Sequence, residues 1–236
     1  MLYALKYPGS LLVLLVSYVV GLTLHGWVQA FVAERMGDRS VRHHHRLEFN
    51  PRWHIDPFGA VAALISGLGW TLAVDLPGRR ERQRAVVVAL VGPAVNLVLG
   101  VGLLLTWRFT LSDGGASSGL AVLFSHSEVG AAYFLQHGYP FASDALGLAV
   151  LLAGASQLYL GVLSLVPIPP LDGGRLLFAL APQTQGWQRA RYYLIDQNIG
   201  IAVVLALLVI TLGGGRLLAS LLDTILAPLI KVLLGV

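Results

Sequence analysis

Residues 145–175 read ALGLAVLLAGASQLYLGVLSLVPIPPLDGGR. An uncharged apolar run, long enough to cross a hydrocarbon core of roughly 30 Å, ends in prolines and delivers a single carboxylate, Asp172. The run Pro167-Ile168-Pro169-Pro170 cannot continue a helix and predicts an extended segment ahead of Asp172. Gly173 and Gly174 then let a neighbour approach closely. A carboxylate at or near bilayer depth is costly, so such groups are kept for pairing, metal ligation or proton handling. Residue 172 is therefore the first place to look for chemistry.

The rest of the chain agrees with a membrane setting. Hydrophobic residues are 56% and charged residues 12% of the sequence, against about 25% charged in soluble domains. The mean hydropathy is +0.73. The expected class is an all-α polytopic membrane protein, a helical bundle of about five transmembrane spans with a re-entrant or short β membrane-embedded element. The net charge of +4 does not point to nucleic acid, because most arginines cluster in short loops, as the positive-inside rule expects. Cysteine is absent, which excludes disulfides and thiolate ligands. The first residues lack the basic start and small-residue cleavage site of a removable signal, so the first apolar segment is expected to stay.

Working outward, the first span runs from about Ser10 into Ala33. A basic stretch from Arg39 to Pro57 follows, in which Leu47–Pro51 reads as a short alternating strand closed by a turn. Phe58–Val74 is apolar but short and broken by glycines, and a second basic stretch, Leu76–Arg84, follows it. Two basic loops belong on one side, so the piece between them is expected to enter and return, helix then strand, sheltered by other helices. Ala85–Trp107 is the second span, 108–144 an outer loop, and Ala145–Val166 the third span. Gln197–Leu212 and Leu217–Val236 form a closing hairpin. The N-terminus is then outside, both chemical motifs lie near the cytoplasmic face, and 1–236 forms one membrane domain.

The partner for Asp172 is sought in the first span, at His25-Gly26-Trp27-Val28-Gln29. His25 and Gln29 are one turn apart and share a helix face. His25 lies about 15 Å from the polar end near Arg35. A His pair at this spacing grips zinc together with a third ligand, and a Glu directly after the first His takes a proton from the metal-bound water. Here the base position is Gly26 and the second ligand position is Gln29, an amide. Taken alone, His25 reads as a histidine hydrogen-bonded between helices. Gly92-Pro93 in the second span reads as permitting close packing or a kink; Asn96 reads equally as a buried amide that needs a partner and faces the same cavity as His25.

Together these residues resemble the site-2 protease family of intramembrane zinc metallopeptidases, in its compact bacterial branch. The resemblance covers residues 21–182: the His25 helix, Leu47–Pro51, His54-Ile55-Asp56-Pro57, Gly69-Trp70, Gly92–Asn96 and Val166–Arg175. It implies zinc held by two His and an Asp, a Glu base, cleavage of peptide bonds inside the membrane, and a membrane-embedded sheet. It implies metal positions at His25 and Asp172, with Gln29 third, and substrate or partner contacts at Asn96, Ser164, Pro167 and Pro169. Asn96 matches the family Asn that supports the substrate or the developing oxyanion.

The departures fall on the chemistry, since Gly26, Gln29 and Ser164 replace Glu, His and Asn. They predict a catalytically inactive pseudoprotease of the bacterial inner membrane that binds a membrane protein or transmembrane peptide, with zinc as cofactor or none. The alternatives are an active metalloprotease with an unusual ligand set, and a small transporter. His43–His45 read as a solvated basic loop and His54 as structural. Beyond the bilayer and the membrane partner, no nucleic acid is expected.

Overall fold

The computed structural model describes residues 8–74, 82–111, 145–212 and 215–235. The expected outer loop beyond 111, the Arg79–Arg80 part of the second basic stretch and residues Gly213-Gly214 of the expected hairpin lie outside the described residues. Helices dominate: α1 (Pro8–Arg35), α2 (Ser40–His43), α3 (Pro57–Ser66), α4 (Arg82–Thr106, continued by a π-turn at Trp107–Leu111) and α5 (Ala145–Ser164). After them come α6 (Asp172–Leu180), α7 (Gln185–Arg191), α8 (Ile199–Val209) and α9 (Leu217–Leu234). Two-residue strands β1 (Thr211–Leu212) and β2 (Gly215–Arg216) pair antiparallel between α8 and α9.

Among the described residues, three stretches are long and apolar enough to cross a membrane: Leu11–Arg35, Gln83–Thr110 and Leu217–Leu234. The apolar α5 packs along α4 and α1 beside them. Antiparallel packing follows from close approaches at glycine. Gly37 sits by Arg84 while Gly92 sits by His25 and Gln29, so α4 runs against α1. Gly100 faces Leu158 and Gly161 faces Leu97, so α5 runs against α4.

The closing pair is unequal. Tyr159 of α5 bonds Asp223 of α9, and Arg108 reaches the Val232 and Leu233 carbonyls at 3.2 Å. Helix α9 therefore runs parallel to α4 over its full length. By contrast α8 has 11 residues, a rise of about 16 Å, or roughly half a hydrocarbon core. Its Val204 and Leu208 pack with Trp70, Leu163, Leu171, Leu218 and Leu222, at the end of the bundle that carries Asp172. The two arms of the closing hairpin differ in length, 11 residues in α8 against 18 in α9, and α8 meets the preceding helical segment at 71°.

Residues 54–74 behave as the glycine-broken pattern predicted. Asp56 caps α3 by accepting from Gly59 N at 2.9 Å, with Pro57 in the first turn where its missing N–H costs nothing. The helix stops at Gly67, whose φ of 83° is left-handed. The chain then returns to where it started: Leu72 N donates to His54 O at 2.7 Å, and Val74 packs with Ala30, Ala33 and Val88. Entry and exit thus share one end of the bundle. The strand half of the expectation shrinks to one antiparallel bridge, Ile55 with Thr71, in place of a sheet.

Two local expectations are overturned. Leu47–Pro51 is not a strand, because its groups are taken elsewhere. The Leu47 carbonyl accepts from Trp27 Nε1 at 2.9 Å, the Phe49 ring packs edge-on to Trp27, and Asn50 caps a 3-10 turn at Pro51–Trp53. The proline run before Asp172 is not extended either. Ile168 N bonds Val166 O at 2.8 Å and Leu171 N bonds Ile168 O at 3.0 Å, so the chain coils back on the start of α6.

Candidate functional site

Three buried side chains meet between α1 and α6. His25 Nε2 lies 2.8 Å from Asp172 Oδ2, and Gln29 Nε2 donates to Asp172 Oδ1 at 2.9 Å. His25 and Gln29 come from successive turns of α1; Asp172 is the first residue of α6, and all three are buried. The loop geometry that aims the carboxylate depends on two missing side chains. A Cβ on Gly173 would lie 2.1 Å from Leu165 O, and one on Gly174 would lie 2.2 Å from the Pro169 nitrogen. Arg175 then ties this loop to the re-entrant segment by donating to Val74 O at 2.5 Å.

The back wall is α4. A Cβ at Gly92 would fall 2.3 Å from His25 Nε2 and 2.9 Å from Gln29 Nε2. Glycine here lets α4 press against the His25–Gln29 face of α1. One turn on, Asn96 lies on the same face of α4 and is fully buried. Neither its amide nitrogen nor its oxygen meets a protein partner, and the same holds for His25 Nδ1 and Gln29 Oε1. Buried polar atoms without partners are uncommon; four of the eight in the described residues belong to His25, Gln29 and Asn96, the others to Tyr18, His54, Trp70 and Gln157.

Position 26 packs against an imidazole. A Cβ on Gly26 would lie 2.9 Å from His54 Nδ1 and 3.1 Å from His54 Cβ. His54 Nε2 faces the Glu48 carbonyl at 2.9 Å. A carbonyl only accepts, so Nε2 carries the proton and Nδ1 is the bare nitrogen turned toward residue 26. Burial pushes the His54 pKa down, the Glu48 hydrogen bond opposes this, and the nearby Arg46 charge adds to the lowering. The sequence placed His54 in a structural turn without revealing that its ring stands over Gly26.

The remaining expected residues separate. The Ser164 hydroxyl donates to Leu160 O at 2.8 Å within its own helix and points no donor at Asp172. Pro169 is buried and Pro167 exposed. His43, His44 and His45 are exposed, with His45 beside Glu48 at 2.7 Å. Gly92 was marked by the sequence as a packing glycine, without its contact with His25 and Gln29; Gln157 was not marked at all. Gln157 is buried against Gly21 and donates to Ser17 O at 2.7 Å, one polar level along α1 from His25. Its amide in an otherwise apolar helix was the available signal.

A bundle of apolar helices that brings an HxxxQ pair to an Asp behind a proline loop defines a membrane protein built on an intramembrane metallopeptidase frame. The sequence comparisons make this specific: the chain belongs to peptidase family M50, the site-2 protease family, whose model matches residues 13–211. It is similar to "Putative zinc metalloprotease YwhC" of Bacillus subtilis (strain 168), 30% identical over 223 residues, covering 89% of this chain and 86% of that one. It is also similar to "Putative zinc metalloprotease Rip2" of Mycolicibacterium smegmatis, 32% identical over 194 residues, covering 77% of this chain and 62% of that one. No solved structure matches the chain.

The donor chemistry tests whether the family's zinc suits these residues. One imidazole and one carboxylate are good ligands, but the third position offers an amide that turns its NH2 group toward Asp172. Catalytic zinc sites use three anionic or imidazole ligands and an open position. Among the described residues, no group of three or more His, Asp and Glu gathers to supply them. The residues present do not fit a catalytic zinc.

Proposed function

We propose that this family member is a catalytically inactive pseudoprotease that holds a membrane protein or transmembrane peptide in the cleft its relatives would use for cleavage. One observation carries the reading: the place of a general base is a glycine whose side-chain space is occupied by the His54 ring. The Asp172 carboxylate, meanwhile, is engaged by His25 and Gln29. A zinc-bound water would have no carboxylate to take its proton. Asn96, with both amide atoms unpartnered, suits a bound peptide backbone that needs a donor and an acceptor together. We place the protein in a bacterial inner membrane, N-terminus outside and the site near the cytoplasmic face.

The test pairs two measurements on the full chain. Elemental analysis of detergent-purified protein should find zinc well below one per chain, and in-cell crosslinking from the Asn96 region should recover a membrane polypeptide that stays uncut. Recovery of no membrane partner counts against binding. Stoichiometric zinc together with cleavage lost in Asp172→Ala would support the second reading, an active protease with an unusual ligand set. The names of the relatives favour that reading.

A further inference from the structure

A second carboxylate lies within a candidate span and takes no part in the site above. Asp223 stands six residues into α9, about 9 Å from its start. Its Oδ1 accepts the Tyr159 hydroxyl of α5. Among the described residues no Lys, Arg or His forms an ion pair with it. A lone neutral donor is thin cover for a carboxylate at this depth.

The surroundings of Asp223 extend the pattern. Ser220, Asp223, Thr224, Ala227 and Lys231 recur at i, i+3, i+4, i+7 and i+11, so they share one helix face. Ser220 and Thr224 are exposed and the other three half-buried. The buried seam of α9, Leu218, Leu222, Leu226, Ile230 and Leu234, runs beside this stripe. Thr224 gives its hydroxyl proton to Ser220 O at 2.9 Å, leaving only lone pairs outward. Pro228 lies inside α9 and has no N–H, so the Thr224 carbonyl also loses its helical donor. The stretch at Asp223 and Thr224 therefore collects acceptors, and hydrocarbon supplies no donors to meet them.

We propose that this face of α9 docks the transmembrane helix of another protein, one that presents a Lys or Arg side chain opposite Asp223. Charge complementarity selects the occupant. Lys231, about 12 Å further along, would in turn meet an acidic residue two turns away on the same partner. A second copy of this chain suits the face poorly. A two-fold axis along the membrane normal makes the paired helices parallel and sets Asp223 against Asp223.

The proposal is tested with the full chain in phosphatidylcholine vesicles, labelled with a fluorescence donor and titrated with acceptor-labelled Leu-Ala transmembrane peptides. One peptide carries a Lys about a third of the way along its span and its twin carries Leu there. Interhelical polar contacts in bilayers predict about tenfold tighter binding of the Lys peptide. Asp223→Asn should erase the preference, and Asp223→Lys should transfer it to a Glu peptide. Thr224→Trp, which bulks the face and leaves the carboxylate in place, should weaken the Lys peptide as well. Equal binding of the twins to the native chain overturns the proposal, as does an unchanged preference in Asp223→Asn. Energy transfer between native copies that Thr224→Trp abolishes would give the face to a second copy instead, and equally overturns it.

Discussion

His54 Nδ1 stands 2.9 Å from where a Cβ on Gly26 would be. Real Cβ atoms do not tolerate that distance, so any side chain at 26 must push the imidazole away from α1. Gly26→Ala sets two effects against each other: a gain of about 1 kcal/mol in helix propensity and an overpacking cost of about 1–3 kcal/mol. The expected outcome is a neutral to destabilised protein. In a His54→Ala background the same change should stabilise by about 1 kcal/mol. Thermal unfolding of the double-mutant cycle checks this, and additivity would show that the two positions do not compete for space.

The same ring makes stability depend on pH. Burial holds the His54 pKa below its ordinary value, so the unfolded chain binds the proton first as pH falls. Above the unfolded pKa both states are neutral and the full stability is present. Stability then declines as pH drops below about 6.5 and levels off once the folded pKa is passed. His54→Gln should flatten that part of the profile, measured as unfolding midpoint against pH in detergent.

Asp172 joins α6 to α1 through two buried donors, and the identity of a replacement decides the loss. Asp172→Ala leaves both donors unpaired and should cost about 2–4 kcal/mol. Asp172→Asn should cost only about 1 kcal/mol, because its oxygen still accepts from one neighbour. Its NH2 can face His25 Nε2 if the imidazole proton moves to Nδ1, which has no partner in the native protein. Chemical denaturation gives the ranking, and the nitrogen chemical shifts of His25 report the tautomer.

If the amide at position 29 is what spoils the ligand set, Gln29→His should repair it. His25, the introduced imidazole and Asp172 would then supply three ligands from positions already gathered around one point. The variant is expected to retain about one zinc per chain after dialysis, and still to cut no peptide because residue 26 carries no base. Elemental analysis and a transmembrane-peptide cleavage assay separate the two statements.

Convergence of His25, Gln29 and Asp172 was readable because each lies on a simple pattern: one helical turn of spacing, or the end of an apolar run at a proline brake. The re-entrant segment was readable from its glycines and from basic residues on both sides. What stayed hidden needs tertiary packing. Nothing local distinguishes Ile199–Val209 from part of a span, and only its contacts with Trp70 and Leu163 place it at one end of the bundle. Leu47–Pro51 alternates like a strand, yet Phe49 faces Trp27, and among the described residues no neighbouring strand pairs with it. His54 and Gly92 were marked as a turn residue and a packing glycine, but their contacts with residues 25–29 come from elements distant in sequence and follow from no spacing rule.

Arg46 was expected only as part of a basic loop, yet it clasps the re-entrant segment at both ends. Its guanidinium donates through Nη1 to Trp53 O and through Nη2 to Leu72 O at 2.5 Å. Those carbonyls flank the 54–74 excursion, so one planar fork fixes entry against exit. Arg46→Met would keep the apolar stem while removing both donors, with an expected loss of about 2–3 kcal/mol. Lys reaches one carbonyl at a time and should fall between the two. The informative probe is hydrogen exchange at the Leu72 amide, which donates to His54 O across the same gap. Its protection should drop in Arg46→Met far more than protection within α4. A uniform drop throughout the chain would mean that Arg46 supports the whole bundle rather than this one excursion, and unchanged Leu72 exchange would remove the clasp altogether.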